Sequence, residues 1–342
     1  MRIFLQGLPG FILTVILAAI AVLLVQYIDL NITLIAISLG FIIGNLLSFS
    51  PNFEAQTQTG ITWIETYGLS TAVALLGLQL NLSLLFQINS MNLSVIALAI
   101  LVTFVLTFLL SKMFRIDGVH ACLLASGQAI CGSAAVMAAT NALKVPHKAQ
   151  TGLIIAVINF LGFLGVFMVA EISQYFFVDN DQAKAFMIGN TLQSMGHVVA
   201  AGFVVSEEVG QGAVLIKMCR ILFLIPTLLV LVFWFNRSAK VTDNIHPNDH
   251  NIISKTYWLK LVPLFIWVFL VLILFNNLGW ISDELAELLT QLSDALFVLA
   301  MVAIGLSIRL QGIWQQCSKL LLVAGLLFGF QIAFTLVFLH WI

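Results

Sequence analysis

The sequence predicts an all-α, polytopic membrane protein of about 9–11 spans, built as an inverted repeat with two discontinuous (broken or re-entrant) helices. Three observations predict it. Hydrophobic residues make up 61% of the chain and charged residues 8%, against roughly 25% charged in a soluble domain. Apolar runs of membrane length follow one another with short loops between them. Two of those runs are interrupted by glycine-rich polar stretches, Ser126-Gly127-Gln128-Ala129-Ile130-Cys131-Gly132-Ser133 and Gly189-Asn190-Thr191-Leu192-Gln193-Ser194-Met195-Gly196-His197. At membrane depth, irregular backbone survives only where protein buries it or where it lines a cavity. A pair of interrupted helices is the sequence pointer to the binding site of a secondary transporter.

The apolar segments run approximately 8–27, 31–48, 61–80, 92–113, 119–143, 149–177, 185–206, 212–235, 257–278, 285–309 and 318–341. Each approaches the roughly 20 residues needed to cross a bilayer as a helix. In the first, Ala18-Ala19-Ile20-Ala21 resembles a signal-peptidase site. The apolar run continues past it, so a retained first span is expected. The one long polar loop, 236–256, holds Asp243, His246, Pro247, Asn248, Asp249 and His250. It reads as a linker inside a single transmembrane domain, 1–342, with approximate halves 1–178 and 179–342.

Composition also excludes. Net charge is −1 and the basic residues fall in small loop clusters, so nucleic acid is not an expected partner. Cys122, Cys131, Cys219 and Cys317 all sit in apolar stretches without metal-ligand spacing. Free thiols, no metal and no cofactor are expected. There is no His-Glu-x-x-His, no Gly-x-Ser-x-Gly and no Gly-x-x-x-x-Gly-Lys-Ser/Thr. An enzyme is not expected, and any transport would draw on ion or substrate gradients.

The charges constrain topology. Lys112, Arg115, Lys144, Lys148, Arg237, Lys240, Lys255 and Lys319 lie in loops, and so do the acidic pairs Asp179/Asp181, Glu207/Glu208 and Asp283/Glu284. If every segment crosses, Lys144 and Lys148 fall outside and Asp179/Asp181 inside, against the positive-inside bias. The conflict disappears if 119–143 and 185–206 are re-entrant. Full crossings unwound at the same glycines are the competing reading. A repeat supports the class. Leu76-Gly77-Leu78-Gln79-Leu80-Asn81-Leu82 recurs as Ile304-Gly305-Leu306-Ser307-Ile308-Arg309-Leu310, exiting opposite faces as inverted repeats do. The broken segment follows the motif in the first half and precedes it in the second. Either the second copy is permuted or the pairing is chance.

Candidate site residues come from both interruptions and two cations in an apolar span. Ser126, Gln128, Cys131, Gly132 and Ser133, with Asn190, Thr191, Gln193 and Ser194, supply hydroxyl, amide and backbone N–H donors. Half-helix N-termini hold anions through such donors. Close packing by small residues would give the same pattern. Arg220 lies inside an apolar span, where an ionised group costs about 2.5–3.5 kcal/mol and needs a cavity or a partner. Its planar fork suits an oxyanion. Lys217, three residues earlier, is a second positive charge for the anion and a coupling candidate; the alternative for both is an ion pair with Glu65, Glu171 or Asp294, or snorkelling by Lys217. His197 is a relay candidate because imidazole titrates near neutrality; a packed, hydrogen-bonded histidine is the plainer reading. Glu65 and Asp294 hold nearly matching positions before the two Gly-Leu motifs. They read as coupling-ion carboxylates or as interfacial helix-start residues. Asn159 reads as cavity lining or helix glue.

These residues resemble the YeiH family of bacterial inner-membrane proteins, which carries a sulfate-exporter label. The resemblance covers nearly the whole chain. It is carried by Ala129-Ile130-Cys131-Gly132-Ser133-Ala134-Ala135-Val136, Val198-Val199-Ala200-Ala201-Gly202, and Lys217-Met218-Cys219-Arg220 with Pro226. It implies a relation to cation–proton antiporters and anion transporters, with discontinuous helices that cross the membrane fully. Where the family carries His-Asp or His-Glu ahead of the Val-Val-Ala-Ala-Gly stretch, this chain has Gln193 and Ser194, with His197 one turn away.

The expectation is a multi-pass bacterial inner-membrane secondary transporter of a small inorganic or sulfur-containing anion, with an anion channel as the alternative. Its partners would be the anion, H+ or Na+ as coupling ion, the lipid bilayer, and a second copy in a homodimer.

Overall fold

A computed structural model describes residues 2–27, 31–47, 51–78, 90–143, 148–224, 226–227, 230–231, 264–308 and 318–341. The linker 236–256, Lys144, Cys317 and the distal parts of both Gly-Leu motifs lie outside them. Every regular element described is helical. The order is α1 (Arg2–Leu24), α2 (Ile32–Leu47) and α3 (Pro51–Trp63), which passes through a π-helical turn (Ile64–Gly68) into α4 (Leu69–Leu76). Then come α5 (Ser90–Met113), α6 (Gly118–Ser126), a second π turn (Gly127–Cys131), α7 (Ser133–Ala142) and α8 (Lys148–Phe176). α9 (Asp181–Thr191), α10 (Met195–Val205), α11 (Glu207–Leu222), α12 (Leu264–Asn277), α13 (Asp283–Ser307) and α14 (Ser318–Trp341) complete it.

Five of these helices are long and apolar enough to cross a membrane: α1, α5, α8, α13 and α14. Their outward faces stay apolar, with Leu23, Leu101 and Leu109 each at least 58% exposed. A water-facing helix would be polar there. The chain is a multi-pass membrane protein. One boundary differs from expectation. The stretch before residue 61 is helical from Pro51, not loop. Proline at the first helical position is favoured because its missing N–H would be unbonded anyway.

The helices form two layers. A panel comprises α1, α2, α3–α4, α12 and α13, with α2 along α13, α1 along α3, and α4 against α12 and α13. A core comprises α5 to α11 and α14, and α10 joins it to the panel at α2 and α13.

Both discontinuous segments are re-entrant hairpins. In the second, α9 runs parallel to α11: Ala185 packs on Gly212, Gly189 on Ala213 and Ile216, and the Leu192 carbonyl meets Lys217. α10 then returns antiparallel to α11, with Gly202 on Gly210, and only Ser206 separates the two helices. In the first, Gly127 faces Val136 across the turn, and Thr140 on α7 lies 3.3 Å from Thr151 on α8. α8, about 44 Å long at 1.5 Å per residue, separates the foot of one hairpin from the foot of the other. The full crossings implied by the family resemblance are therefore corrected. The chain turns at Gly132 (φ 67°, ψ −129°) and at extended Leu192–Ser194.

The two Gly-Leu motifs do equivalent work. Gly77 lets α4 approach the α12 backbone at Phe269, and Gly305 lets α13 approach the α2 backbone at Ile37 and Phe41. Asn276 of α12 donates to the Leu78 carbonyl at 2.6 Å, and Asn45 of α2 donates to the Ile308 carbonyl at 2.9 Å. α4 and α13 run antiparallel, since Ser293 bonds Ala72 and Ser307 bonds Glu65. The first unit is α2, α3–α4, α5, α6–α7, α8; its counterpart is α12, α13, α14, α9–α10, α11. The second copy is circularly permuted, which explains why its broken segment precedes its motif.

Candidate functional site

The hairpin tips touch. A Cβ at Gly132 would lie 3.3 Å from Ser194 Cβ and 3.6 Å from the Gln193 carbonyl carbon. Across the same junction Gln193 Nε2 donates to Gln128 Oε1 at 3.0 Å.

Each hairpin brings a helix C-terminus and a helix N-terminus to this point, and their unbonded groups decide its electrostatics. The ends of the inbound helices are covered. Arg220 Nε donates to the Ala129 carbonyl at 2.6 Å, and Nη2 donates to the Gln128 carbonyl at 3.1 Å. Lys217 Nζ donates to the Leu192 carbonyl at 2.6 Å. Both cations are 0% exposed. Hydrogen bonds to charged groups contribute about 1.5–3 kcal/mol each. Arg220's two bonds thus offset the cost of its burial, whereas Lys217's one bond leaves little margin. Neither cation forms an ion pair with a carboxylate among the described residues. The expected alternatives, Glu65, Glu171 and Asp294, are not their partners.

The outbound helices leave their N-termini at the junction. α7 starts at Ser133, which is partly exposed, and α10 starts at Met195 behind its N-cap Ser194. Ser194 Oγ accepts from His197 N and lies 2.7 Å from His197 Nδ1. The His197 ring packs on Gly162 of α8. Among the described residues its Nε2 has no hydrogen-bond partner, nor have Arg220 Nη1, Gln193 Oε1 and Asn190 Oδ1.

The other sequence candidates divide. Gln128 is a hub. Its carbonyl also accepts from Gln331 Nε2 at 2.9 Å, and its own Nε2 donates to the Ala324 carbonyl. Asn190 Nδ2 and Thr191 Oγ1 donate to Thr335 Oγ1. Cys131 is a buried free thiol at the end of the π turn. Ser126 Oγ donates back to the Cys122 carbonyl within its own helix. Glu65 sits on the panel π turn and Asn159 is buried on α8. Asp294 lies on an exposed position of α13 about three and a half turns before Ser307, away from the tips. Gln331, Thr335 and Thr103 were not expected. Gln331 Nε2 also reaches Thr103 Oγ1. A single Gln in an apolar helix reads as helix–helix glue; the available signal was its spacing, one turn before Thr335.

The layers meet asymmetrically. Residues Met195 to Gly202 of α10 are all buried, with Gly196 against Leu69 and Ile304 and Phe203 beside Phe297. On its counterpart α7, Ala134 and Met137 are exposed.

A family model described as conserved hypothetical protein 698 matches residues 9–324. The UPF0324 membrane protein PA5383 of Pseudomonas aeruginosa is 29% identical over 95% of this chain and 91% of its own length. The UPF0324 inner membrane protein YeiH of Escherichia coli K12 is 28% identical over 87% of this chain and 82% of its own. A UPF0324 membrane protein of Yersinia pestis is 26% identical over 94% and 89%. No solved structure matches the chain.

Proposed function

This chain belongs to the conserved hypothetical protein 698 family, and from that premise we propose that it is a secondary transporter of a small inorganic or sulfur-containing anion, of the sulfate, sulfite or sulfonate kind, working by alternating access in a bacterial inner membrane. One observation carries the reading. Two helix N-termini, those of α7 and α10, converge at touching hairpin tips, while the opposing C-terminal carbonyls are covered by Arg220 and Lys217. The charge left over at the junction is positive, and neither Lys217 nor Arg220 forms an ion pair with a carboxylate among the described residues. That is an anion's environment.

The topology fits the same reading. With nine crossings among the described residues (α1, α2, α3–α4, α5, α8, α11, α12, α13, α14) and two re-entrant hairpins, Arg2, Lys112, Arg115, Lys148 and Lys319 fall on one side. Asp179, Asp181, Glu207, Glu208, Asp283 and Glu284 fall on the other. The positive-inside bias makes the first side cytoplasmic. Inverted repeats with one copy docked and the other open support alternating access. The relatives' names, which include "inner membrane protein", support the location.

Binding-induced thermal stabilisation of the purified protein across sulfate, sulfite, sulfonates, carboxylates and halides tests the reading. Oxyanions should raise the melting temperature in a saturable way. Flux in liposomes then separates the alternatives, because a transporter saturates and counter-transports whereas a channel does neither.

A further inference from the structure

We propose that Glu65 couples the anion site to protons: its carboxylate must be protonated for the anion to bind at the hairpin tips. This rests on the anion-site reading above.

The geometry brings this carboxylate to the tips from the panel. α13 runs antiparallel to α10, with Phe297 beside Phe203 and Ile304 against Gly196. Ser307 lies one turn beyond Ile304, level with Ser194 and therefore with the start of α10. Ser307 Oγ donates to Glu65 Oε2 at 2.6 Å. Leu69, one turn after Glu65, also packs against the Gly196 position. Glu65 thus faces the N-terminus of α10 from across the layer boundary. It sits in a π-helical turn, Ile64–Gly68, a local irregularity that recurs at functional sites.

The carboxylate has the wrong surroundings for a structural anchor. Among the described residues its partner is one serine hydroxyl rather than a cation, and the residue is only partly buried. Other titratable groups on the elements around it are distant or engaged. Asp294, Glu287 and Glu284 lie roughly 20 Å or more up α13 at 1.5 Å per residue. Glu54 lies about three turns earlier on α3. α4 carries no titratable group, and α10 carries His197, held by Ser194. Lys217 and Arg220 are bonded to hairpin carbonyls. Arg309 lies outside the described residues.

An ionised carboxylate here repels an anion entering between the tips. A protonated one does not, and it offers a donor. Anion binding and proton binding on Glu65 therefore favour each other, and the coupling is reciprocal. No bond is made or broken beyond the O–H of Glu65; the proton comes from solvent on the side from which the anion enters.

Sulfate is the probe, because it stays doubly charged near neutrality and its own titration does not intrude. With the full chain, sulfate affinity should rise by up to about tenfold per unit fall in pH where Glu65 is ionised. Calorimetry in two buffers of different ionisation heat should count close to one proton taken up per sulfate. Glu65→Gln should bind sulfate with little pH dependence, near the wild-type affinity at low pH. Ser307→Ala removes a donor to the ionised form, so it should move the pH dependence upward while keeping its slope. If the wild type takes up no proton, or if Glu65→Gln keeps the wild-type slope, the proposal is wrong while the anion site stands. If Glu65→Gln does not fold, an unmoved profile in Ser307→Ala overturns it. If sulfate binds at no pH, the anion site itself fails.

Discussion

Lys217 and Arg220, one helical turn apart on α11, each hold the tip of a different hairpin. Lys217 takes the Leu192 carbonyl and Arg220 takes the carbonyls of Ala129 and Gln128. Two hairpins that enter from opposite ends are thereby fixed to one helix at one level. The cations neutralise the ends of the inbound helices and leave the N-termini of the outbound ones to act.

Arg220→Ala should cost about 2–6 kcal/mol of stability, because two buried carbonyls lose this donor at about 1–3 kcal/mol each, and should abolish anion binding. Arg220→Lys keeps the charge but cannot bond two carbonyls at once. It should fold and bind sulfate at least about tenfold more weakly, a change of about 1.4 kcal/mol. Melting curves and sulfate titrations on both variants check this. Unchanged affinity in Arg220→Ala would remove the cation from the account.

Gly132→Ala should uncouple folding from binding. A left-handed φ of 67° with ψ −129° costs a residue with a side chain about 1–3 kcal/mol, and the added Cβ would press on Ser194. The fold should survive in detergent, because the strain is local. Sulfate-dependent stabilisation should be lost. Full stabilisation in this variant would show that the tip geometry is not the binding geometry.

The permuted repeat makes Gly77 and Gly305 equivalent. Each Ala substitution should destabilise by about 1–3 kcal/mol, the usual cost of overpacking, because the new Cβ would meet a backbone carbonyl of α12 or α2. Thermal melts of the two single variants should agree closely. A large drop for one and none for the other would break the equivalence.

Sequence alone carried the two interruptions, the buried cations and the repeat, because glycine and charge in an apolar run are rare enough to be informative. The hairpin geometry rested on Lys144 and Lys148, too few charges to exclude full crossings. The partner of Arg220 was not legible. A cation needs acceptors, and sequence lists carboxylates while hiding the carbonyls that a break exposes. The same blindness missed Gln331, whose importance lies in reaching the Gln128 carbonyl. Nor was it legible that Ser126 bonds its own preceding turn, as a helical serine can.

Alternating access requires the docked face of α10 to leave the panel. Phe203 and Phe297, with ring centroids 6.2 Å apart, mark that contact. In a cysteine-free background, Phe203→Cys with Phe297→Cys should cross-link under mild oxidant. The bond should stop anion flux in liposomes, and reductant should restore it. Flux that persists through the cross-link would favour a channel.

Selenate replaces the sulfur of sulfate with an anomalous scatterer, so its position can be located directly in crystals of the protein. The account predicts one site at the junction of the hairpins, within hydrogen-bond reach of the Ser133 hydroxyl or the N–H groups that open α7 and α10, and lost in Gly132→Ala. Selenate bound elsewhere in the molecule, with the tips empty at saturating concentration, would contradict it.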